Sequence, residues 1–315
     1  MTLFSCSTHS PRATLRAATN ALLGIAGWLT VASCQAELTV GVSVSDLGNP
    51  YFVQIAEGAE AEARRLAGED VRFILKSSAY DLPRQVRQME GFIARNVDLI
   101  LLIAANYNGI EPAIQQAQAA GIPVLAVDVK ARGADITVTT NNRQAGEIAC
   151  GFLAAALGQK GNIAIVNGPP VSSIEARVDG CLSQLKQYPG ITVLDSNNNA
   201  GASRLGGLEV MTHLLAEFPH IDGVFAINDP SAVGAEQAAQ MAGRPLLITS
   251  IDGAPLAIER MRHDDSLIIG SAAQLPEQMA RMAIRMGYEL LQGKTPEKSE
   301  VQIPSYIIHR GNLPE

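Results

Sequence analysis

DLILLIAANYNGIEPAIQQAQAAGIPVLAVD, residues 98–128, reads as one complete β-α-β unit. Asp98–Ile103 is a short apolar run, a helical stretch ends near Gly121, and Pro123–Val127 is a second apolar run, with Asp128 just beyond it. Runs this short and this continuously apolar suit strands buried on both faces, and a helix between two of them makes the strands parallel neighbours. The crossover is right-handed, because a right-twisted strand feeding a right-handed helix packs back on its sheet only that way.

The same alternation extends outward in both directions. Upstream lie strand Leu38–Val44, a helix from Pro50 to about Ala67 ended by Gly68, strand Val71–Leu75, and a helix capped by Asp81 ahead of Pro83 that carries Val86, Met89, Phe92 and Ile93 on one face. Downstream a polar stretch, residues 130–135, leads into strand Ile136–Thr139, and the pattern restarts with a helix from about Asn142 to Leu157. Strand Asn162–Val166, helix Ser173–Gln187, strand Ile191–Leu194, helix Ser203–Glu217, strand Gly223–Ile227, helix Ser231–Met241 and strand Leu246–Ile251 follow. The fold class is therefore α/β, as two doubly wound parallel-sheet (Rossmann-like) lobes joined near residue 140. The segment from Ser271 onward, with helix Pro276–Leu291 and a single strand Val301–Ile308, is too small for a third domain and must pack on one or both lobes.

A chain of 315 residues gives each lobe enough length for its own core, and 47% hydrophobic against 17% charged residues excludes a disordered or coiled-coil chain. Residues 1–33 carry Arg12 and Arg16, no acid, and an apolar stretch from Ala17 to Ala32 that falls short of the ~20 residues of a membrane span. They read as a secretory signal, so residues 1–36 are set apart as a signal peptide and the mature protein is expected in the periplasm. Cleavage before Glu37, giving a soluble protein, is preferred over lipidation at Cys34, where Val31, Ala32 and Ser33 form a lipoprotein-like box. Removing the first 33 residues leaves 22 Lys+Arg against 31 Asp+Glu, a balance of −9 that speaks against nucleic-acid binding. Two cysteines remain in the body, Cys150 and Cys181, both on expected helices. An oxidising compartment permits a bond between them, but spacing does not say whether they meet, and two buried thiols is the simpler reading.

In open parallel sheets the ligand lies beyond the carboxyl ends of the strands. Ser45, Asp46 and Asn49 follow the first strand, Asp128 the run 123–127, Asn228 and Asp229 the run 223–227, and Asp252 the run 246–251, divided between the two lobes. Carboxylates and amides facing one gap suit a neutral, hydroxyl-rich molecule, since each carboxylate can accept from two adjacent hydroxyls. Tyr51 and Phe52, directly after Pro50, offer rings for an apolar sugar face, with Tyr80 and Tyr107 as weaker candidates. The competing reading of each polar residue is a helix cap or turn, which fits Asp229 before Pro230 best.

At these residues the chain resembles the periplasmic sugar-binding proteins of the ribose-binding type, the type I periplasmic binding proteins of ATP-driven transporters, which share their fold with the effector domains of the lactose-repressor family. The likeness covers residues 38–310 and rests on Asn49–Phe52, Pro123–Asp128, Val224–Asp229, Ile251–Gly253 and Ala273–Pro276 in this order and spacing. It implies a pocket lined by Asn49, Asp128, Asn228, Asp252 and Gln274, with Ser45, Tyr51 and Phe52 at its first-lobe wall. It also implies a three-crossing hinge, near residues 140, 274 and 303, so the lobes are expected at 37–139 plus 275–302 and 140–274 plus 303–315. Three departures stand out. Val129 occupies the place where ribose binders carry an Arg after the strand-end Asp, and Glu175 takes the place of a second pocket Arg, two residues before Arg177. Near Ala202 an expected aromatic is also missing. Loss of guanidinium donors and gain of a carboxylate argue against plain ribose and make Glu175 a candidate for an amine-bearing ligand such as an amino sugar.

The resemblance thus implies a solute-binding protein that captures a sugar, amino sugar or polyol by lobe closure and delivers it to a membrane ABC transporter permease. The alternative is a sensor of a sugar or signal molecule acting through a membrane receptor. A regulator of transcription needs a helix-turn-helix head of about 60 residues where this chain has its leader. An enzyme is not expected: the sequence has no GxGxxG after its first strand, no phosphate loop, no GxSxG and no HExxH, and its five histidines are scattered. No cofactor, no metal and no nucleic-acid partner are expected, and the protein is read as a monomer.

Overall fold

The computed structural model describes residues 37–314, so the expected export signal lies outside the described residues. In chain order the elements are β1 (Thr39–Val44), α1 (Pro50–Ala67), β2 (Arg72–Ser77), α2 (Leu82–Ile93), β3 (Leu99–Leu102), α3 (Glu111–Ala119), β4 (Val124–Val127) and β5 (Ile136–Thr140). Then come α4 (Asn142–Ala156), β6 (Lys160–Val166), α5 (Ser172–Leu185), β7 (Gly190–Asp195), α6 (Arg204–Glu217), β8 (Gly223–Ala226), α7 (Asp229–Met241), β9 (Leu247–Asp252), α8 (Pro255–Arg262), β10 (Ile268–Ala273), α9 (Pro276–Leu291), β11 (Glu300–Ile303) and β12 (Tyr306–His309). They build two six-stranded sheets, ordered β11-β5-β4-β3-β1-β2 and β12-β10-β9-β8-β6-β7. Every pairing is parallel except β12 on β10.

Each sheet buries apolar side chains on both faces, which is why β3, β4 and β8 are buried at every position. Helix starts are set locally: Asn49, Asp81, Asn141, Ser203 and Asn228 each accept a backbone N–H in the first turn of the helix that follows. The chain passes between the sheets three times. It leaves β5 for α4, which packs on β8, β9, β10 and β12; it returns after β10 to α9, which packs on α1, β3, β4 and β5; and it passes from β11 to β12.

Three sequence readings need correction. The single strand expected over Val301–Ile308 is two strands in different sheets, broken at Pro304, which offers no N–H, and at Ser305, whose Oγ donates to the Ala273 carbonyl at 2.7 Å and ties two passages together. Two elements lie outside the alternation expected above: α8, a helix of only 8 residues, and β10, IIGSAA, whose small residues give little strand signal. Cys150 and Cys181 are not two separate thiols: they form a disulfide, with Cα atoms 5.1 Å apart. The cause is the approach of α4 to α5. A Cβ on Gly146 would stand 2.0 Å from the Arg177 carbonyl oxygen, and one on Gly180 would stand 2.0 Å from that of Arg143, so only glycine allows the two backbones to touch.

The return helix α9 is also fastened to α1 by charge. Glu62, 1% exposed, accepts from Arg65 (2.7 and 2.9 Å) and Arg285 (3.0 Å), with Arg281 at 3.7 Å. The Arg65 hydrogen bonds, then those of Arg285, hold its carboxyl down at about 2. A depressed carboxylate stabilises the fold above its unfolded pKa and loses that contribution as pH falls through the range from about 4.5 to about 2. With the arginines themselves partly solvated, Glu62→Gln is expected to cost on the order of 2 kcal/mol at neutral pH, and the difference should shrink toward pH 3. Urea unfolding at the two pH values checks this; equal stability at neutral pH would refute it.

Candidate functional site

The carboxyl ends of both sheets converge on one polar network. Asp128 directly follows β4 and Asp252 ends β9, and each is held at a positive φ, 70° and 140°. Side chains other than glycine rarely adopt this backbone, and it persists only where the surroundings enforce it. Tyr51, in the first turn of α1, donates its hydroxyl to Asp128 Oδ1 at 2.8 Å and also lies 3.2 Å from Gln274 Oε1. Gln274, on the passage after β10, accepts from Thr140 Oγ1 at 2.7 Å and donates from Nε2 to Asp252 Oδ1 at 2.8 Å. Arg177 completes the line: Nη1 is 3.6 Å from Asp252 Oδ1 and donates to the Ile227 carbonyl at 2.9 Å, while Nε donates to Asn142 Oδ1 at 2.8 Å.

The network thus runs from the first lobe through two of the passages into the second. Asp128 Oδ2 and Asp252 Oδ2 accept from no side chain among the described residues, while the Asp229 backbone also hydrogen-bonds the Asp252 carboxyl. Burial raises the Asp128 pKa, opposed by the Tyr51 hydrogen bond and by Arg177. Asp252 is raised for the same reason, opposed by Arg177 and Gln274. Tyr51 is pushed well above 10 by burial and then by Asp128, so it is a donor throughout the physiological range.

Tyr80 also lies near these carboxylates. It is 62% exposed, yet its hydroxyl is desolvated enough, and near enough to Asp128, Asp46 and Asp252, to be pushed up to about 12. Its ring meets Phe52 edge-on at 6.3 Å, and Phe52 meets Tyr51 at 5.3 Å, so three aromatic residues form one wall. Phe52 itself is 7% exposed and belongs to the first-lobe core, backing that wall. Ser45 is buried at the end of β1, where its carbonyl accepts from Ser77.

Other expected residues are partly committed elsewhere. Asn49 Oδ1 caps α1 through Tyr51 N–H at 3.0 Å. Asn228 Oδ1 caps α7 through Ser231 N–H at 3.1 Å, and its Nδ2 donates to the Ala202 carbonyl at 3.0 Å. Glu175 stands apart from the network, exposed in the first turn of α5, where it lines a cavity of about 310 Å³ with Tyr107, Val129, Lys130 and Val171. Lys130 there is paired with Glu300 at 2.7 Å, while Glu175 has no ion pair among the described residues.

From α5 it is Arg177, on the buried face of the helix, that reaches the network. Its signal was available. Ile174, Arg177, Cys181 and Leu185 share one buried helix stripe, and an arginine on such a stripe needs a partner. Among the described residues no group of three His, Cys, Asp or Glu side chains is arranged to hold a metal ion, and no helix is long and apolar enough to cross a membrane.

The family described as periplasmic binding protein domain matches residues 40–295. The chain is 31% identical over 266 residues to the ribose import binding protein RbsB of Bacillus subtilis strain 168, covering 84% of this chain and 85% of that one. It is also 31% identical over 243 residues to the xylitol-binding protein of Mycolicibacterium smegmatis, covering 75% and 67%. Among solved structures, a periplasmic solute-binding protein of an ABC transporter from Actinobacillus succinogenes 130z, with bound D-allose, superposes with a TM-score of 0.81 at 29% identity, over 87% of this chain and 98% of that one.

Proposed function

The chain belongs to the periplasmic binding protein domain family, and from that premise we propose that it captures a sugar or sugar-like polyol between its two lobes and delivers it, closed, to an ABC importer. One observation carries the reading: the Asp128–Tyr51–Gln274–Asp252–Arg177 network joins strand ends of both lobes, and on each side a carboxylate oxygen accepts from no side chain among the described residues. A polyol bridging these oxygens contacts both lobes at once, and only such contacts shift an open form toward a closed one. The bodies that move are the segments 37–139 plus 275–302 and 140–274 plus 303–315. The relatives named above support this ligand class, binding ribose, xylitol and D-allose in their own cases.

Tyr51, Tyr80, Asp128, Arg177, Asp252 and Gln274 are assigned to direct contact; Asn49, Asn228 and Ser45 frame the gap, and Phe52 backs the aromatic wall. A second reading, an amine-bearing ligand such as an amino sugar, is favoured by Glu175, which has no ion pair among the described residues and lines a cavity with Tyr107 and Val129. A thermal-shift screen of pentoses, hexoses, amino sugars and polyols tests both, since a ligand at 100 times its Kd adds about 2.7 kcal/mol of stability. A shift with polyols or neutral sugars supports the first reading, and one confined to amino sugars the second. Absence of any shift refutes both. For the exported protein, a mature form beginning at Glu37 is proposed; a lipid-modified Cys34 in the intact mass would overturn it.

A further inference from the structure

We infer that Asp229 is a positioning residue for Asp252: one buried carboxylate clamps the turn that carries the other to the cleft. The inference rests on the ligand-holding role proposed for Asp252. Asp229 opens α7, and its sequence position suggests a cap, but Asn228 performs that task. The Asp229 side chain, fully buried, turns instead toward the second sheet. Its Oδ1 accepts from the hydroxyl of Ser250 on β9 and from that of Ser271 on β10 at 2.6 Å, and its Oδ2 accepts from the Ala254 N–H at 2.6 Å. Ser271 Oγ in turn accepts from the Gly253 N–H at 2.9 Å. Both amides that follow Asp252 are therefore held by Asp229, one directly and one through a serine.

This turn needs holding. Asp252 has φ 140° and Gly253 φ 69°, and a Cβ on Gly253 would stand 2.7 Å from the Ala273 Cβ. Without outside constraint the Asp252 backbone would relax toward a commoner conformation and swing its carboxylate away from Gln274 and Arg177.

The clamp is electrical as well as geometric. Three donors and no acceptor face Asp229, which suits the ionised form. Around it, β9 contributes the carboxylate of Asp252, and α5 contributes Arg177, which reaches the Ile227 carbonyl two residues earlier. β10 contributes only Ser271; α8 carries Arg260, which is committed to Glu236 farther along α7 at 2.7 Å; Asp128 acts on Asp252 from the other lobe. Burial, then the like charge of Asp252, raises the Asp229 pKa. By reciprocity, a charge on Asp229 raises the proton affinity of Asp252.

The test uses the ligand-free full-length mature protein. Carboxyl-carbon NMR titration should show Asp252 titrating above the ordinary aspartate range in two steps shared with Asp229 in the parent, and in a single step in Asp229→Asn. Amide exchange supplies the second readout. Asn keeps an oxygen for the two serines, so in Asp229→Asn the Gly253 amide should stay protected while Ala254 exchanges at least tenfold faster. In Ser271→Ala the pattern should reverse, with Gly253 freed and Ala254 still protected, and this variant serves if Asp229→Asn does not fold. An unmoved Asp252 titration in a folded Asp229→Asn, or identical protection of both amides in parent and variants, overturns the inference. No sugar enters these measurements, so failure of the thermal-shift screen would remove the proposed function and leave the clamp to be judged on its own.

Discussion

Asp252→Ala is expected to weaken ligand binding by about 2–4 kcal/mol, roughly 30- to 700-fold in Kd. Three groups lose their acceptor at once: the ligand hydroxyl, Gln274 Nε2 at 2.8 Å and the Arg177 guanidinium at 3.6 Å. Leaving donors unpaired in a closed, dry gap costs more than the net worth of the bonds removed. Asp128→Ala should fall at the lower end of that range, because the Tyr51 hydroxyl it leaves behind has Gln274 Oε1 at 3.2 Å as a second acceptor. Calorimetric titration with whichever sugar or polyol gives the largest thermal shift measures both. Parent-like affinity in both variants would show that the network is not the binding site.

The pH dependence has a definite sign. Both carboxyls are raised by burial, so as ligand acceptors they improve as pH rises through their raised pKa values, and affinity should increase with pH through that window. For the ligand-free protein the same shifts act the other way. A carboxyl whose folded pKa lies above its unfolded value of 3.8 binds its proton more tightly when folded, so stability contributed by that proton is present at low pH and lost as pH rises through the folded pKa. Glu62 has the opposite sign.

Replacing Cys150 and Cys181 together by alanine is expected to lower stability by roughly 3–4 kcal/mol, from the entropy of closing a loop of 31 residues in the unfolded chain. At roughly 2–4 °C per kcal/mol for a chain of this size, the Tm should fall by about 6–15 °C. Ligand affinity at low temperature should barely change, and the structure gives the reason. Gly146 against the Arg177 carbonyl and Gly180 against that of Arg143 hold α4 and α5 together independently of the sulfur bond, so Arg177 stays in place. Scanning calorimetry and titration of the same variant separate the two effects. A Tm unchanged from the parent would refute the stabilising role, and a large loss of affinity in a folded variant would show that the bond, not the glycine contact, positions Arg177.

Most of the fold was legible along the chain because its determinants are local. Apolar runs of strand length, helical periodicity, Asn and Asp caps and terminal glycines act over a few residues, and they place β1 to β9 and α1 to α7 within a few positions of where they occur. The segments that failed are those where local pattern and tertiary path part company. Residues 301–303 and 306–308 are each strand-like, Pro304 marks the break between them, and only the tertiary path shows that they lie in different sheets. Strand ends likewise marked Asp128 and Asp252, since a polar residue just beyond a buried parallel strand has few other places to point.

What the sequence by itself determined is the α/β class, the doubling into two lobes, and the side of each sheet on which polar groups gather, all consequences of short-range periodicity and of how parallel strands must be connected. Only the tertiary structure decided that Cys150 meets Cys181, that Arg177 rather than Glu175 reaches the strand-end carboxylates, and that Asp229 faces the turn beyond Asp252. Each of these depends on how closely two elements far apart in the chain approach. That distance is set by contacts such as those at Gly146 and Gly180, where the missing side chain leaves no periodic trace to read.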